Sequence, residues 1–284
     1  MDKEFLYDML RTPSVSGHEI ALQKKVIQHM EPVADEILTD ATGDVISVLN
    51  PHAEAKVLLC GHIDEIGFLV TRICEDGMLK VTKAGGIHPV LYLGTHVQVV
   101  CASQILPGVV VTNRTLESKE QVQVEDLFID LGFDSKAECE RYVSIGDPVC
   151  AASEFTELAH GKLAGRALDD RIGAFIILEA LKKAKQKQAA CGIYAATTCG
   201  EETTMRGAYH VATRVQPSCA LIVDVTFASD YPGVSGDASG TVKLGGGAVL
   251  CSNSMINKPL NAALAAIAEE HQLDVQWEVL SLIH

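Results

Sequence analysis

The sequence predicts an α/β fold, a mixed-sheet domain interrupted by a small β-barrel-like domain. Three observations carry this. Helical patterns alternate with strand-sized apolar runs toward both ends of the chain. Between them lies a helix-poor stretch of short β-rich pieces, split by glycines and polar turns. The length, 284 residues, leaves room for about two domains at roughly 150 residues each.

Taken in order, residues 3–31 read as helical, with a break at Thr12-Pro13-Ser14-Val15-Ser16-Gly17. Ser16 is the expected N-cap of the second helix, whose apolar positions are Leu22, Val26 and Met30. Strands are expected at Ile37–Thr39, Val45–Leu49 and Lys56–Cys60, the last an apolar run suited to a buried strand. From Gly67 the pieces Gly67–Ile73, Met78–Thr82, Thr95–Cys101 and Gly108–Thr112 suggest a small antiparallel barrel or sandwich, with one helix at Ser135–Tyr142 and an end near Val149–Ala152. Alternation resumes after Gly161: helix Arg171–Lys187, strand Ile193–Thr197, helix Glu201–Arg214 and strand Ala220–Thr226. A glycine-rich strand region at Val242–Val249, a helix at Lys258–His271 and strands at Asp274–Val279 and Leu280–Ile283 follow. The expected domains are therefore residues 1–66 with 161–284, and an insert at 67–160.

Composition narrows the function. Lysine and arginine number 23 against 37 acids, a net charge of −14, which argues against binding a phosphate backbone. A basic amphipathic face for an anionic membrane is also missing, and no apolar run approaches the ~18 residues of a membrane span. The nine cysteines contain no C-x-x-C pair, which fits reduced thiols in a cytoplasmic protein rather than a thiolate metal site.

Four segments put His, Asp or Glu at the ends of expected strands, where open α/β sheets present ligands. In Gly61-His62-Ile63-Asp64, the His and Asp face one side of an extended chain. That pairing suits a metal-binding imidazole oriented by an acid, and equally a satisfied His at a strand end. Asp169-Asp170 precedes a helix and could serve as an N-cap. Glu201 and Glu202 open the next helix, where helix-dipole stabilisation competes with a division of labour between metal binding and proton transfer. Asp224 interrupts the apolar run Leu221–Thr226, and a carboxylate buried there needs a cation. One imidazole and several carboxylates suit zinc, cobalt or manganese in a hydrolytic site. The chain has no G-x-S-x-G elbow, no phosphate loop and no H-E-x-x-H helix.

The order and local sequence of these segments resemble the tetrahedral aminopeptidases, a family of co-catalytic metallopeptidases that includes glutamyl, leucyl and lysyl aminopeptidases. The matching pieces are GHIDEIGFLV (61–70), KAGGIHP (83–89), LFIDLGFDSKAECERYVSIGDPV (127–149), ALDDRIGAF (167–175), GEETTMRGA (200–208) and LIVDVTFASD (221–230). The resemblance implies two divalent metal ions per subunit, zinc or cobalt or else manganese. His62 and Asp224 would be terminal ligands of one ion, Asp169 would bridge both, and Glu202 would bind the second. Glu201 would be the general base and Asp64 would orient His62. The family's Gly-Thr-Asp segment and its Pro-x-Arg-Tyr-x-His strand are not found near Trp277–His284; the resemblance makes His284 the last metal ligand. It further implies peptide substrates and a twelve-subunit tetrahedral homo-oligomer with contacts through the β insert. Residue chemistry leaves open a metal-dependent deacylase or carboxypeptidase, a two-carboxylate glycosidase, and a catalytically impaired shell protein.

Overall fold

The computed structural model describes residues 2–112, 122–152, 155–237 and 239–280. It divides into two compact units, residues 1–224 and 225–284. Among the described residues no helix is long and apolar enough to cross a membrane.

The first unit opens with α1 (Lys3–Arg11) and α2 (Ile20–Met30). Asp2 caps α1, its Oδ1 accepting the Phe5 N–H at 3.2 Å. Ser16 does not cap α2; the N-cap is Glu19, without a side-chain bond. The Ser16 hydroxyl is engaged with Thr203 at 3.0 Å instead, because the turn folds back toward the site. Strands β1 (Glu36–Thr39), β2 (Val45–Leu49) and β3 (Lys56–His62) follow.

The chain then forms a closed barrel from β4 (Gly67–Ile73), β5 (Leu79–Ala84), β6 (His96–Val100), β7 (Ile105–Thr112), β8 (Leu127–Asp130) and β9 (Pro148–Ala151). The barrel order is β4-β5-β8-β7-β6-β9. Phe68, Val70, Leu79, Val97, Val99, Val110, Leu127, Ile129 and Val149 fill its interior. The expected Ser135–Tyr142 helix shrinks to one turn, α3 (Lys136–Cys139), capped by Ser135. Closure pairs the strand edges, which lets a small β unit stand with little helical cover.

A short hairpin, β10 (Thr156–Glu157) with β11 (Leu163–Ala164), returns the chain to the sheet. Then come α4 (Leu168–Gln186), β12 (Gly192–Thr198), α5 (Glu201–Thr204), α6 (Arg206–Val215) and β13 (Cys219–Ile222). The expected single helix 201–214 is two helices, because Met205 takes a left-handed φ of 55°. The sheet order is β1-β2-β12-β3-β13, with β3 parallel to both β12 and β13. Period-two alternation sorts the sheet's side chains. Val45, Leu49, Leu59, Ile63, Ile193 and Ala195 meet α1, α2 and α4 on one face. Ile46, Val48, Leu58, Cys60, Tyr194 and Ala196 meet Val211 and Val215 of α6 on the other. Burial on both faces explains why these strands read as continuous apolar runs.

The second unit contains β14 (Ala248–Ser252), α7 (Lys258–Glu270) and β15 (Val275–Val279), with β14 and β15 paired in parallel. The expected 242–249 strand begins only at Ala248, and the expected strand Leu280–Ile283 lies almost wholly outside the described residues.

Helix α4 lies close against the chain just beyond β13 because Gly173 lacks a side chain. A Cβ there would sit 2.4 and 2.5 Å from the Asp170 oxygens and 2.6 Å from the Val223 carbonyl. Gly173→Ala is expected to lower stability by about 1–3 kcal/mol, the usual range for overpacking. Urea denaturation checks this, and an unchanged midpoint would contradict it.

Candidate metal centre

The carboxyl ends of β3, β12 and β13 lie side by side, so the segments after them converge. His62 is the last residue of β3 and is buried. Its Nε2 faces Asp169 Oδ1 at 3.0 Å and Glu201 Oε2 at 3.7 Å. Its Nδ1 faces the Asp64 carbonyl at 3.1 Å and the Asp64 carboxylate at 3.5 Å. Polar partners on both nitrogens fix the ring's orientation.

Asp64 is fully buried, and its carboxylate does more than face the imidazole. It accepts the backbone N–H groups of Glu201 at 3.0 Å and Glu202 at 3.2 Å. One buried carboxylate thus sets both His62 and the start of the helix that presents the two glutamates. Burial works to raise the Asp64 pKa, but the hydrogen bond and charge of His62, with the donors from Glu201 and Ser16, outweigh it and hold the carboxyl below its usual range.

Asp169 and Asp170 occupy non-helical backbone at the head of α4 and are joined by a cis peptide bond. Neither is the N-cap; Ala167 is, with a left-handed φ of 56°. The two acids separate in role. Asp169 reaches His62, whereas Asp170 is fully buried and accepts the His62 N–H at 3.2 Å and the Gly173 N–H at 3.1 Å. Asp170 therefore ties β3 to α4, a role its position in the sequence does not signal. Asp224 lies two residues beyond β13 and is exposed, not buried within a strand as expected. The ladder ends after the Val223 N–H bonds the Cys60 carbonyl at 2.8 Å.

The barrel also reaches the site. Gly85, at the end of β5 with φ of 86°, packs so that a Cβ would sit 2.7 Å from Ile66 Cγ2 and 3.3 Å from the Glu202 Cβ.

Two sets of side chains can offer ligand atoms within 4.8 Å of one another: His62, Asp169 and Glu202, and His62, Asp170 and Asp224. Both Asp170 oxygens already accept backbone N–H groups. The donor set of imidazole and carboxylates, without thiolate, fits a borderline-hard divalent cation. Of the residues singled out from sequence, His62, Asp64, Asp169, Glu201, Glu202 and Asp224 are brought together. His284 lies outside the described residues. The sequence offered Asp170 only as an N-cap candidate and pointed to no role for Glu65, Arg166 or Arg171, although all four lie within or beside the matching segments.

The electrostatics follow from burial and from carboxylates crowded about one imidazole. Burial works to lower the His62 pKa, but hydrogen bonds to Asp169 and Asp64 and the surrounding carboxylates raise it to about 11. Burial, then the neighbouring Asp169, pushes Glu202 up to about 7. Burial and Asp224 push Asp170 to about 8. Glu201 is raised as well, chiefly by burial. His62 thus holds a proton through neutral pH, and Glu202 holds one more tightly than a free carboxyl does.

A cation binding these groups must displace those protons, so its affinity rises with pH. Calorimetric titration with Zn²⁺ in buffers of differing ionisation enthalpy is expected to show release of about one proton or more at neutral pH, with tighter binding at about pH 8 than at about pH 6. Binding that is independent of pH, with no proton released, would contradict this electrostatic picture.

Comparison with known proteins agrees with the fold. The family model for M42 glutamyl aminopeptidase matches residues 43–284. Lysyl aminopeptidase of Pyrococcus furiosus is 29% identical over 98% of this chain and 81% of its own. The crystal structure of a TET aminopeptidase from a marine sediment Thaumarchaeota archaeon superposes with a TM-score of 0.91 at 31% identity, over 98% of this chain and 81% of that one. The TET1 peptidase of Pyrococcus horikoshii, which can assemble into a tetrahedron or a large octahedral shell, superposes at 0.87 with 30% identity, over 99% and 85%. The chain belongs to the M42 glutamyl aminopeptidase family and is a peptidase hydrolase.

Proposed function

We propose that the chain is a dinuclear metal-dependent aminopeptidase. The observation that carries this is His62 Nε2, 3.0 Å from Asp169 and 3.7 Å from Glu201 within a group of carboxylates whose like charge a cation would balance. His62 and Asp224 would hold one divalent ion, zinc or cobalt or else manganese, with Asp169 shared and Glu202 on the second. His284 remains a proposed further ligand by family resemblance. When bound, the ions would polarise the scissile carbonyl and acidify the attacking water.

Glu201 is the proposed general base. It stands beside His62 at the opening of α5, its backbone N–H held by Asp64. Its raised pKa brings it closer to neutrality, where a carboxylate can take a proton from water and return it to the leaving amine. Asp64 positions His62 and both glutamates. The acidic surroundings favour a substrate with a free, cationic α-amino group, which selects for removal of N-terminal residues.

We further propose a homo-oligomer with contacts through the barrel insert, a tetrahedral dodecamer by analogy with P. horikoshii TET1. Leu91 and Ile145 of the insert are 71% and 62% exposed, apolar surface that association would cover. The nine unpaired cysteines fit a reducing cytoplasm. Light scattering is expected to give a mass several times that of the chain; a monomer at micromolar concentration would count against the assembly.

The adjacent glutamates give the sharper test. Glu201→Gln is expected to retain metal and lose ~10²–10⁴ in kcat, the usual contribution of a general base. Glu202→Gln replaces an anionic ligand by a neutral one, and is expected to lose metal at one position and to recover in excess metal. Metal stoichiometry and kcat on matched peptides with free and acetylated N-termini decide the matter. Equal behaviour of the two variants contradicts the assigned roles, and preference for the acetylated peptide favours a deacylase.

A further inference from the structure

The turn carrying Asp169 has an arginine at each end, and both reach the same carboxylate. Arg166 Nη1 donates to Glu65 Oε1 and Oε2, both at 2.6 Å. Arg171 Nη2 donates to Glu65 Oε1 at 2.7 Å. Glu65 directly follows Asp64, and Arg171 directly follows Asp170. Glu65 and Arg171 are 3% and 0% exposed, so their geometry is not loosened by water. The anchoring extends to the N-terminal segment. Glu65 Oε1 accepts the Ser14 N–H at 2.9 Å. Arg171 also donates to the Ser14 hydroxyl at 2.7 Å and to the Met9 and Leu10 carbonyls at 2.7 and 3.2 Å. Arg166 Nη2 donates to the Arg11 carbonyl at 3.1 Å.

The bracketed turn has little helical support of its own. Ala167 is left-handed, and Asp169 and Asp170 have non-helical dihedrals. It carries two acids toward a segment that ends in a third, and carboxylates repel at such range. Glu65 fastens the segment behind Asp64 to both ends of the Asp169–Asp170 turn.

We propose that Glu65, Arg166 and Arg171 are positioning residues that hold the His62–Asp64 segment and the Asp169 turn at metal-binding separation before any cation arrives. This rests on the reading of the site as a metal centre. None of the three touches the reacting atoms; they act through His62, Asp64 and Asp169. Breaking one contact removes preorganisation, so cation affinity falls even where the fold survives.

Charge and position predict different signs, which makes the inference testable. The triad has a net single positive charge. If only its field mattered, Arg166→Met would remove a cation and tighten metal binding, while Glu65→Gln would remove an anion and weaken it. Positioning predicts that both weaken it. The experiment is a competitive Co²⁺ titration of metal-free wild type, Arg166→Met, Arg166→Lys and Glu65→Gln, with the visible absorption of bound Co²⁺ and the melting temperature of each metal-free protein recorded. A loss of about 10-fold or more in affinity is expected for Arg166→Met and Glu65→Gln, in the range seen when groups supporting a metal ligand are removed. The Co²⁺ spectrum should change, and Arg166→Lys should fall between wild type and Arg166→Met. Affinity in Arg166→Met equal to or tighter than wild type overturns the inference. Should that variant fail to fold, wild-type affinity and spectrum in Arg166→Lys and Glu65→Gln overturn it instead. Failure of the wild type itself to bind Co²⁺ would sink the metal-centre reading, an outcome distinct from the others.

Discussion

Six carboxylates crowd one imidazole: those of Asp64, Asp169, Asp170, Glu201, Glu202 and Asp224 stand around His62. Like charges at such range cannot all ionise cheaply, and burial removes the water that would screen them. The structure meets this in several ways. Asp64 and Asp170 are satisfied by backbone N–H groups. His62 keeps a proton, and Glu202 and Asp170 hold theirs more tightly than free carboxyls do. The positive charge of Arg166 and Arg171 is brought to the back of the site through Glu65. A divalent cation would balance what remains, so the crowding that disfavours full ionisation would favour metal.

Stability and chemistry are placed on different parts of the same strands. The middle of β3, β2 and β12 is packed on both faces by helices, so the sheet is a rigid base. The candidate site begins where the strands end, at His62 and beyond Thr198 and Ile222. The barrel is a separately packed core whose Gly85 reaches back to Glu202. That close approach joins the inserted unit to the site and leaves no room for a side chain at the junction.

The sequence made this division visible where period and burial agree. Val45–Leu49 was legible as a strand to the residue, and β3 as a buried strand ending beside a His-x-Asp pair. The glutamates were legible because they follow an apolar run and a glycine. Other features were not, for physical reasons. Met205 takes a left-handed conformation that its side chain does not advertise, so one expected helix became two. Asp224 lay within an apolar run, yet the ladder stops before it. Ser16 looked like a helix cap, but tertiary contact with Thr203 claimed its hydroxyl. The Glu65 contacts join residues about a hundred positions apart, and no local pattern encodes such a pair. The one signal available was an arginine on either side of an Asp-Asp pair, which gains meaning only when Glu65 is opposite.

The central claim is that this carboxylate-ringed imidazole is a two-metal site. Anomalous diffraction from crystals of the Zn²⁺-loaded protein, recorded on both sides of the zinc edge, tests it most directly. The account predicts two zinc peaks flanking the Asp169 carboxylate, one within ligand distance of His62 and the other of Glu202. A site without zinc peaks, or zinc bound only elsewhere on the chain, would contradict it.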